Sequence, residues 1–175
     1  MKNLILTIAI LSVLLTQSCQ NQEKKDEAIV SKESASSVAN ETSDSKTDFI
    51  FPKGQKGPDK NFTGDAYNIG LVKPDSTFTT VVGNVYFEPK ARSNWHSHAG
   101  GQILVITDGK GYHQIEGEPI QTLKKGDVVT CPPNTRHWHG ASPEIGMQQM
   151  YIVPNTEKGI VNWMEPVTDE QYNNL

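Results

Sequence analysis

Hydrophobic residues beyond position 60 occur in short runs, each closed by glycine, proline, asparagine or aspartate. The runs are rich in valine, isoleucine, threonine and aromatic residues, which favour strands over helices. No long apolar stripe with helical spacing competes with them before the C-terminal tail. The pattern predicts strands over residues 66–72, 78–87, 102–107, 112–116, 120–123, 127–131, 136–141 and 147–153.

Turn-forming residue pairs separate these strands. Asp108-Gly109 and Glu116-Gly117 are typical of hairpin turns, and Gly126-Asp127 precedes the next strand. Many short strands joined by tight turns indicate an all-β fold, which we predict to be a double-sheet jelly roll. A short C-terminal tail follows, in which Thr168 is the predicted N-cap of a final helix and Trp163 is expected to pack against the barrel.

The first 19 residues have the pattern of an export signal rather than of a folded element. Lys2 gives a positive start, and the apolar residues 4–15 are too few to span a bilayer as a helix. Cys19 follows a small residue, as in lipoprotein signals, in which the cysteine receives the lipid. The pattern therefore predicts a lipoprotein-type signal peptide that ends at Cys19, with an ordinary cleaved signal as the alternative.

Residues 20–60 are rich in serine, glutamate and lysine and poor in aromatic residues. Such a segment cannot bury enough apolar surface to offset its ordering entropy, so it is predicted to be a disordered tether. The folded domain is then expected over residues 61–175. This organisation predicts an exported protein that its lipid holds on the bacterial membrane, in the periplasm or at the cell surface. Lipidation of Cys19 would leave Cys131 without a disulfide partner, and Cys131 is predicted to be a small buried residue.

The formal net charge of the chain is −4, and its sequence has no basic run. This composition excludes nucleic acid as an expected partner and leaves a small molecule as the expected ligand.

Four of the five histidines lie in two windows, residues 94–109 and 126–140. Histidines two positions apart on a strand point to the same face, so each window directs a pair of imidazoles to one side. Gln102 begins the apolar run after the first pair. Several imidazoles and an amide oxygen in a barrel mouth suit a divalent first-row metal, so the windows predict one metal site formed around His96, His98, Gln102 and His137.

The two windows resemble the signature motifs of the cupin superfamily. His96, His98, Gln102 and Gly109 match the first motif, and Gly126, Pro132 and His137 match the second. With Gln102 in place of the usual glutamate and Asn134 in place of a glycine, residues 67–172 are similar to small bacterial cupins related to manganese-dependent (R)-selective hydroxynitrile lyases. The resemblance implies a cupin barrel, a homodimer or higher homo-oligomer, and a metal ligand set of His96, His98, Gln102 and His137. It favours manganese, then iron, with zinc or nickel as further alternatives.

Gln102 changes the expected electrostatics of the site. Three neutral imidazoles and a neutral amide leave the charge of a divalent ion uncompensated, whereas glutamate would cancel one unit of it. Such an ion attracts anions and polarises a carbonyl or alkoxide. This fits lyase chemistry on a small carbonyl, hydroxyl or anionic substrate better than oxygen activation.

His139 is the candidate general acid or base, because it shares the face of His137 and its ordinary pKa is near neutrality. The alternative is that His139 only orients a ligand. Asn94, Trp138 and Gln149 are predicted to line the pocket, and His113 is expected to be an ordinary strand residue. Gln149 lies where the lyase-like relatives tend to carry a histidine that handles the proton, and glutamine cannot titrate.

The sequence therefore favours an exported, metal-dependent, lyase-like enzyme. Two alternatives stay open: a non-catalytic lipoprotein that binds a small molecule through its metal, and an iron-dependent dioxygenase.

Overall fold

The computed structural model of the protein describes residues 49–175. These residues form a sheet of twelve strands that curls on itself, one 3-10 turn and a short C-terminal helix. The strands are β1 (Gln55–Lys56), β2 (Phe62–Thr63), β3 (Ala66–Val72), β4 (Val81–Phe87), β5 (Arg92–Ser93), β6 (His96–Ser97), β7 (Gln102–Ile115), β8 (Gln121–Lys124), β9 (Val128–Cys131), β10 (His137–Ala141), β11 (Met147–Val153) and β12 (Asn162–Trp163). The 3-10 turn spans Thr156–Lys158 and helix α1 spans Asp169–Tyr172.

The predicted signal peptide, Cys19 and most of the predicted tether lie outside the described residues. The last part of that tether does not: β1 pairs antiparallel with β3, with Gln55 opposite Asn68. The folded domain thus begins before residue 61, which corrects the predicted boundary. In the described part of the chain, no helix has the length and apolar character needed to cross a membrane.

The long strand β7 joins the two halves of the jelly roll. Its first part pairs with β11 and β9, and its last part pairs with β10 and β8. One half therefore runs β1-β3-β4-β11-β7 and the other continues from β7 through β10 and β5 to β2. All of these pairings are antiparallel, and the all-β jelly-roll prediction is confirmed.

Gly109 lets β7 bend from one half into the other. The sequence predicts a hairpin turn at Asp108-Gly109, and this prediction is wrong, because the strand continues without reversal from Gln102 to Ile115. Gly109 has a φ of 77°, and an added Cβ would overlap with the carbonyl oxygen of Gly146. The turn predicted at Glu116-Gly117 is confirmed.

Substitution of Gly109 tests this bend. Gly109→Ala combines left-handed backbone strain with a steric overlap, so we expect the free energy of unfolding to fall by about 3 kcal/mol or more. Gly117 is the matched control, because its φ is 82° but no atom lies within 4 Å of its Cβ position. Gly117→Ala should cost only about 1–2 kcal/mol of strain. Urea unfolding of both variants gives the comparison, and equal losses would contradict the steric argument.

The barrel interior is filled by every second residue of its strands, as the period of two requires. Its core contains Val85, Phe87, Leu104, Ile106 and Met147, all buried. A second buried cluster lies outside the barrel, where the C-terminal tail covers it: Trp95, Tyr112, Trp138, Val167 and Tyr172.

The tail is fixed by specific contacts. Thr168 caps α1 in a capping box with Gln171, which confirms the predicted N-cap. The guanidinium of Arg92 donates to the Val167 carbonyl and to Asp169, and the Tyr172 hydroxyl donates to the Ala141 carbonyl. Because these bonds hold the tail on the barrel, the residues just before them reach the barrel mouth.

Candidate metal centre

Four histidines converge inside the barrel. β10 pairs with β6 so that His137 lies directly opposite His96, and their ring centroids are 4.3 Å apart. The rings of His98 and His139 lie 5.2 Å and 5.1 Å from that of His96. Potential ligand atoms of His96, His137 and His139 all lie within 4.8 Å of one another. A three-histidine cluster of this kind suits a divalent metal ion.

Three of these imidazoles are anchored in the same way. Nδ1 of His96 donates to the Asn94 carbonyl at 2.9 Å, and Nδ1 of His137 donates to the Thr135 carbonyl at 2.9 Å. Nδ1 of His98 donates to the carbonyl of Ile160. A neutral imidazole that donates through Nδ1 carries its lone pair on Nε2, which is how metal-binding histidines are oriented.

The freed lone pairs leave buried acceptors that a cation would satisfy. Nε2 of His137 lies 3.0 Å from Oε1 of Gln102, so two acceptors face each other without a proton between them. Nε2 of His98 is buried and has no hydrogen-bond partner among the described residues. Buried acceptors in this arrangement are costly unless a positive charge satisfies them. His96, His98, Gln102 and His137 therefore fit a metal ion.

His139 has a different partner from the other three rings. Nε2 of Gln149 lies 2.9 Å from Nδ1 of His139 and donates to it, which places the imidazole proton on Nε2. Both residues are buried. The structure therefore puts the residue predicted for proton transfer inside the compact cluster, while His98 lies at the edge of that cluster.

Burial keeps all of these imidazoles neutral. It lowers the pKa of His137 to about 3, and it lowers the pKa of His96 and His139 well below the ordinary value, with further lowering by the neighbouring histidines. The pKa of His98 is also lowered by burial. Metal binding requires unprotonated imidazoles, so the barrel interior prepares these side chains for a cation.

A cavity of about 150 Å³ opens beside the cluster. Its walls are mainly apolar, and no carboxylate is among the described residues that line it. A positive charge bound there would lack a compensating negative charge from these walls, so the cavity suits an anion or an oxygen that gains negative charge. The lining residues are Phe62, Asn68, Val81, Val85, His96, His98, Gln102, His139, Tyr151, Val153, Ile160, Val161 and Trp163.

Two residues predicted to line this pocket lie elsewhere. The side chain of Asn94 donates to the carbonyls of Lys60 and Met164, and it supports the site through its own backbone carbonyl. Trp138 is fully buried in the outer aromatic cluster, where its indole donates to Gln114. Because alternate strand residues face opposite ways, Trp138 points away from the cavity that His137 and His139 face.

Gln149 and His113 are the other two residues singled out from the sequence, and both lie inside the barrel. Gln149, the third predicted pocket residue, touches the site through His139. His113 lies in β7 opposite His139, but its Nε2 is 3.2 Å from the thiol of Cys131. Burial lowers the pKa of His113 to about 4 and raises the pKa of Cys131 to about 12, so this pair is neutral.

Most of the cavity wall consists of residues that were not predicted from the sequence. Tyr151 and Val153 follow Gln149 at intervals of two in β11, so strand alternation alone could have placed them on the same face. Ile160, Val161 and Trp163 come from the tail, where no local pattern marks them. Trp163 was expected to pack on the barrel, and its ring lies 5.0 Å from that of His96.

Asn134 explains how the second motif tolerates the loss of its glycine. Its φ is 59°, in the left-handed region, and its backbone N–H donates to the His98 carbonyl. Asparagine is the side chain other than glycine that most readily adopts this conformation.

The fold and the site together show that residues 49–175 form a β-barrel with a histidine cluster in its mouth. Residues 83–144 match the protein family described as "Cupin domain". The chain is 41% identical over 117 residues to an (R)-mandelonitrile lyase of Granulicella tundricola, covering 67% of this chain and 89% of that protein. It belongs to the cupin superfamily and is related to the hydroxynitrile lyases of that family.

Solved structures agree with this assignment. A cupin-like protein from Thermotoga maritima is 47% identical, with a TM-score of 0.69, over 71% of this chain and 95% of the other. A cupin-2 domain protein from Rhodospirillum rubrum, 17% identical with a TM-score of 0.53 over 67% and 75% of the two chains, shares the fold alone.

Proposed function

We propose that this protein is a metal-dependent lyase that cleaves or forms a carbon–carbon bond next to the oxygen of a small hydroxyl or carbonyl compound. The observation that carries the proposal is the pair of facing acceptors, Nε2 of His137 and Oε1 of Gln102, beside the unpartnered Nε2 of His98. With His96, these residues would hold the ion. When bound, the ion supplies positive charge that stabilises negative charge on an oxygen atom.

The charge of the donor set supports a lyase over a dioxygenase. All of the proposed ligands are neutral, and the described lining of the cavity has no carboxylate. The site is therefore suited to stabilising an alkoxide or cyanide in a low-dielectric environment. Manganese is the proposed ion because of the resemblance to manganese-dependent relatives, since imidazole ligands by themselves suit several first-row metals.

His139 and Gln149 form the proton-transfer pair of the proposal. A half-turn of the Gln149 amide would present its oxygen to Nδ1 of His139, move the imidazole proton to Nδ1 and free Nε2 to act as a base. Nε2 then takes the proton of the substrate hydroxyl as the carbon–carbon bond breaks, and it returns this proton to the departing carbon anion. A carbonyl compound and a protonated leaving group such as hydrogen cyanide are the products.

The apolar wall of the cavity serves the same reaction. Val85, Val153 and Trp163 exclude water from the histidines, which strengthens every electrostatic interaction in the site. A small apolar substituent of the substrate fits against these side chains.

Cleavage of mandelonitrile tests the function. The purified full chain loaded with manganese should release benzaldehyde above the uncatalysed rate, and treatment with a chelator should abolish this activity. Readdition of manganese should restore it, whereas zinc should restore less. Absence of activity with stoichiometric manganese bound would contradict the lyase proposal.

A further inference from the structure

The cavity has a second polar end. Apart from the histidines and Gln102, Asn68 and Tyr151 are the polar side chains among the described residues that line it. We propose that Asn68 and Tyr151 form a polar subsite that binds a hydroxyl group on the ring of an aromatic substrate. This inference rests on the proposed function, because it names the substrate class bound in the same cavity.

Strand geometry places the subsite away from the reacting end. Asn68 pairs with Val85 of β4, and Val85 pairs with Gln149 of β11, so Asn68 lies two strands away from Gln149, about 9–10 Å across the sheet. Gln149 contacts His139, whereas Tyr151 lies opposite Gly83 of β4. A substrate with its reacting carbon at the histidines can therefore extend a ring substituent toward Tyr151.

Gly83 fixes where the phenol lies. A Cβ added to Gly83 would overlap with the hydroxyl and ring of Tyr151, so any other residue at position 83 would displace the ring. β4 thus leaves room for the Tyr151 hydroxyl next to Asn68, which belongs to β3.

The two side chains have unused hydrogen-bonding capacity. The Tyr151 hydroxyl lies 3.3 Å from Nδ2 and 3.4 Å from Oδ1 of Asn68, which are long contacts. Among the described residues neither side chain has another hydrogen-bond partner. A phenol and a primary amide together offer more donors and acceptors than these contacts use. A substrate hydroxyl, which both donates and accepts, would match them.

The rest of the cavity favours a single ring. Its volume is about 150 Å³, a size at which an apolar protein cavity accepts one benzene molecule. Phe62 and Trp163 supply flat aromatic walls, and the valines supply the remaining apolar surface. The preferred substrate is therefore a hydroxylated aromatic aldehyde or its cyanohydrin, rather than the unsubstituted compound.

Binding of matched aldehydes tests the subsite. The probes are benzaldehyde, 3-hydroxybenzaldehyde and 4-hydroxybenzaldehyde, titrated into the manganese-loaded full chain at a pH below the phenol pKa of the probes. We expect at least one hydroxylated aldehyde to bind about tenfold more tightly than benzaldehyde. Tyr151→Phe, which keeps the ring, should reduce this preference to about twofold or less, and Asn68→Ala should reduce it similarly. Tyr86→Phe is the control, because the Tyr86 hydroxyl contacts Glu88 and does not line the cavity.

The proposed subsite is wrong if the wild-type protein binds all three aldehydes with equal affinity. It is also wrong if the preference for a hydroxylated aldehyde survives both the Tyr151→Phe and the Asn68→Ala substitution. Turnover of the corresponding cyanohydrins is measured in the same samples. If the cyanohydrins are turned over but the hydroxylated aldehydes bind no more tightly than benzaldehyde, the subsite is wrong and the lyase proposal still holds. A binding preference that depends on Tyr151, without turnover, supports the subsite while the lyase proposal fails.

Discussion

Replacement of His96 by alanine should remove the metal. His96 lies at the centre of the cluster, with the rings of His98, His137 and His139 all within 5.2 Å of its own. Loss of an outer-shell partner already weakens metal binding by about 10- to 100-fold, so loss of a ligand should weaken it by about 100-fold or more. Metal content after dialysis, measured by mass spectrometry, should fall to a small fraction of the wild-type value, together with lyase activity.

His113 provides the control for this experiment. It is as buried as the other histidines and lies within the barrel, but its Nε2 faces the thiol of Cys131. His113→Gln should therefore retain the metal, although it alters the packing of the interior. Equal metal loss in both variants would show that the effect comes from damage to the barrel. The proposed metal site would be wrong if His96→Ala retained its metal.

The convergence of the histidines could be predicted because it depends on the period of two along a strand. His96 and His98 share one face, His137 and His139 share another, and both faces point into the barrel. The cavity beside these histidines could not be predicted in the same way. Its walls come from β2, β3, β4, β11 and the tail, and the adjacency of these segments is a property of the tertiary fold.

Gly109 shows why a local turn signal can mislead. Asp-Gly favours a hairpin, but the same left-handed glycine also permits a bend within a continuous strand. Here β11 pairs with β7 up to Gly109, with a register shift between Gln148 and Gln149, and β10 pairs with β7 from Gly111 onward. The choice between reversal and continuation is therefore made by a strand that is distant in sequence, and no window around Gly109 contains that information.

The division of roles among the histidines also required the structure. The sequence places His137 and His139 on the same face, and only the resemblance to the cupin motif singles out His137 as the ligand. Their hydrogen bonds differ: a backbone carbonyl accepts from Nδ1 of His137, whereas the side chain of Gln149 faces Nδ1 of His139. A carbonyl fixes one tautomer, but an amide can support either, so His139 is the ring suited to gain and lose a proton.

His139→Gln should separate proton transfer from metal binding. If His139 is the acid and base of the reaction, kcat should fall by about 10²- to 10⁴-fold while the metal content stays close to the wild-type value. If His139 is instead a ligand, as its place in the compact cluster permits, the metal would be lost with the activity. Metal analysis and steady-state kinetics on the same sample decide between these roles.

Substitution of Gln149 extends the same test. Gln149→Leu removes the partner of Nδ1 and should lower kcat by about tenfold or more without loss of metal. Gln149→Glu keeps an acceptor for Nδ1–H and adds a negative charge, which raises the pKa of His139 toward its ordinary range. A general base works only above its own pKa, so the acid limb of the kcat profile should move to higher pH in this variant. An unchanged pH profile in Gln149→Glu would contradict the role of His139 as the base.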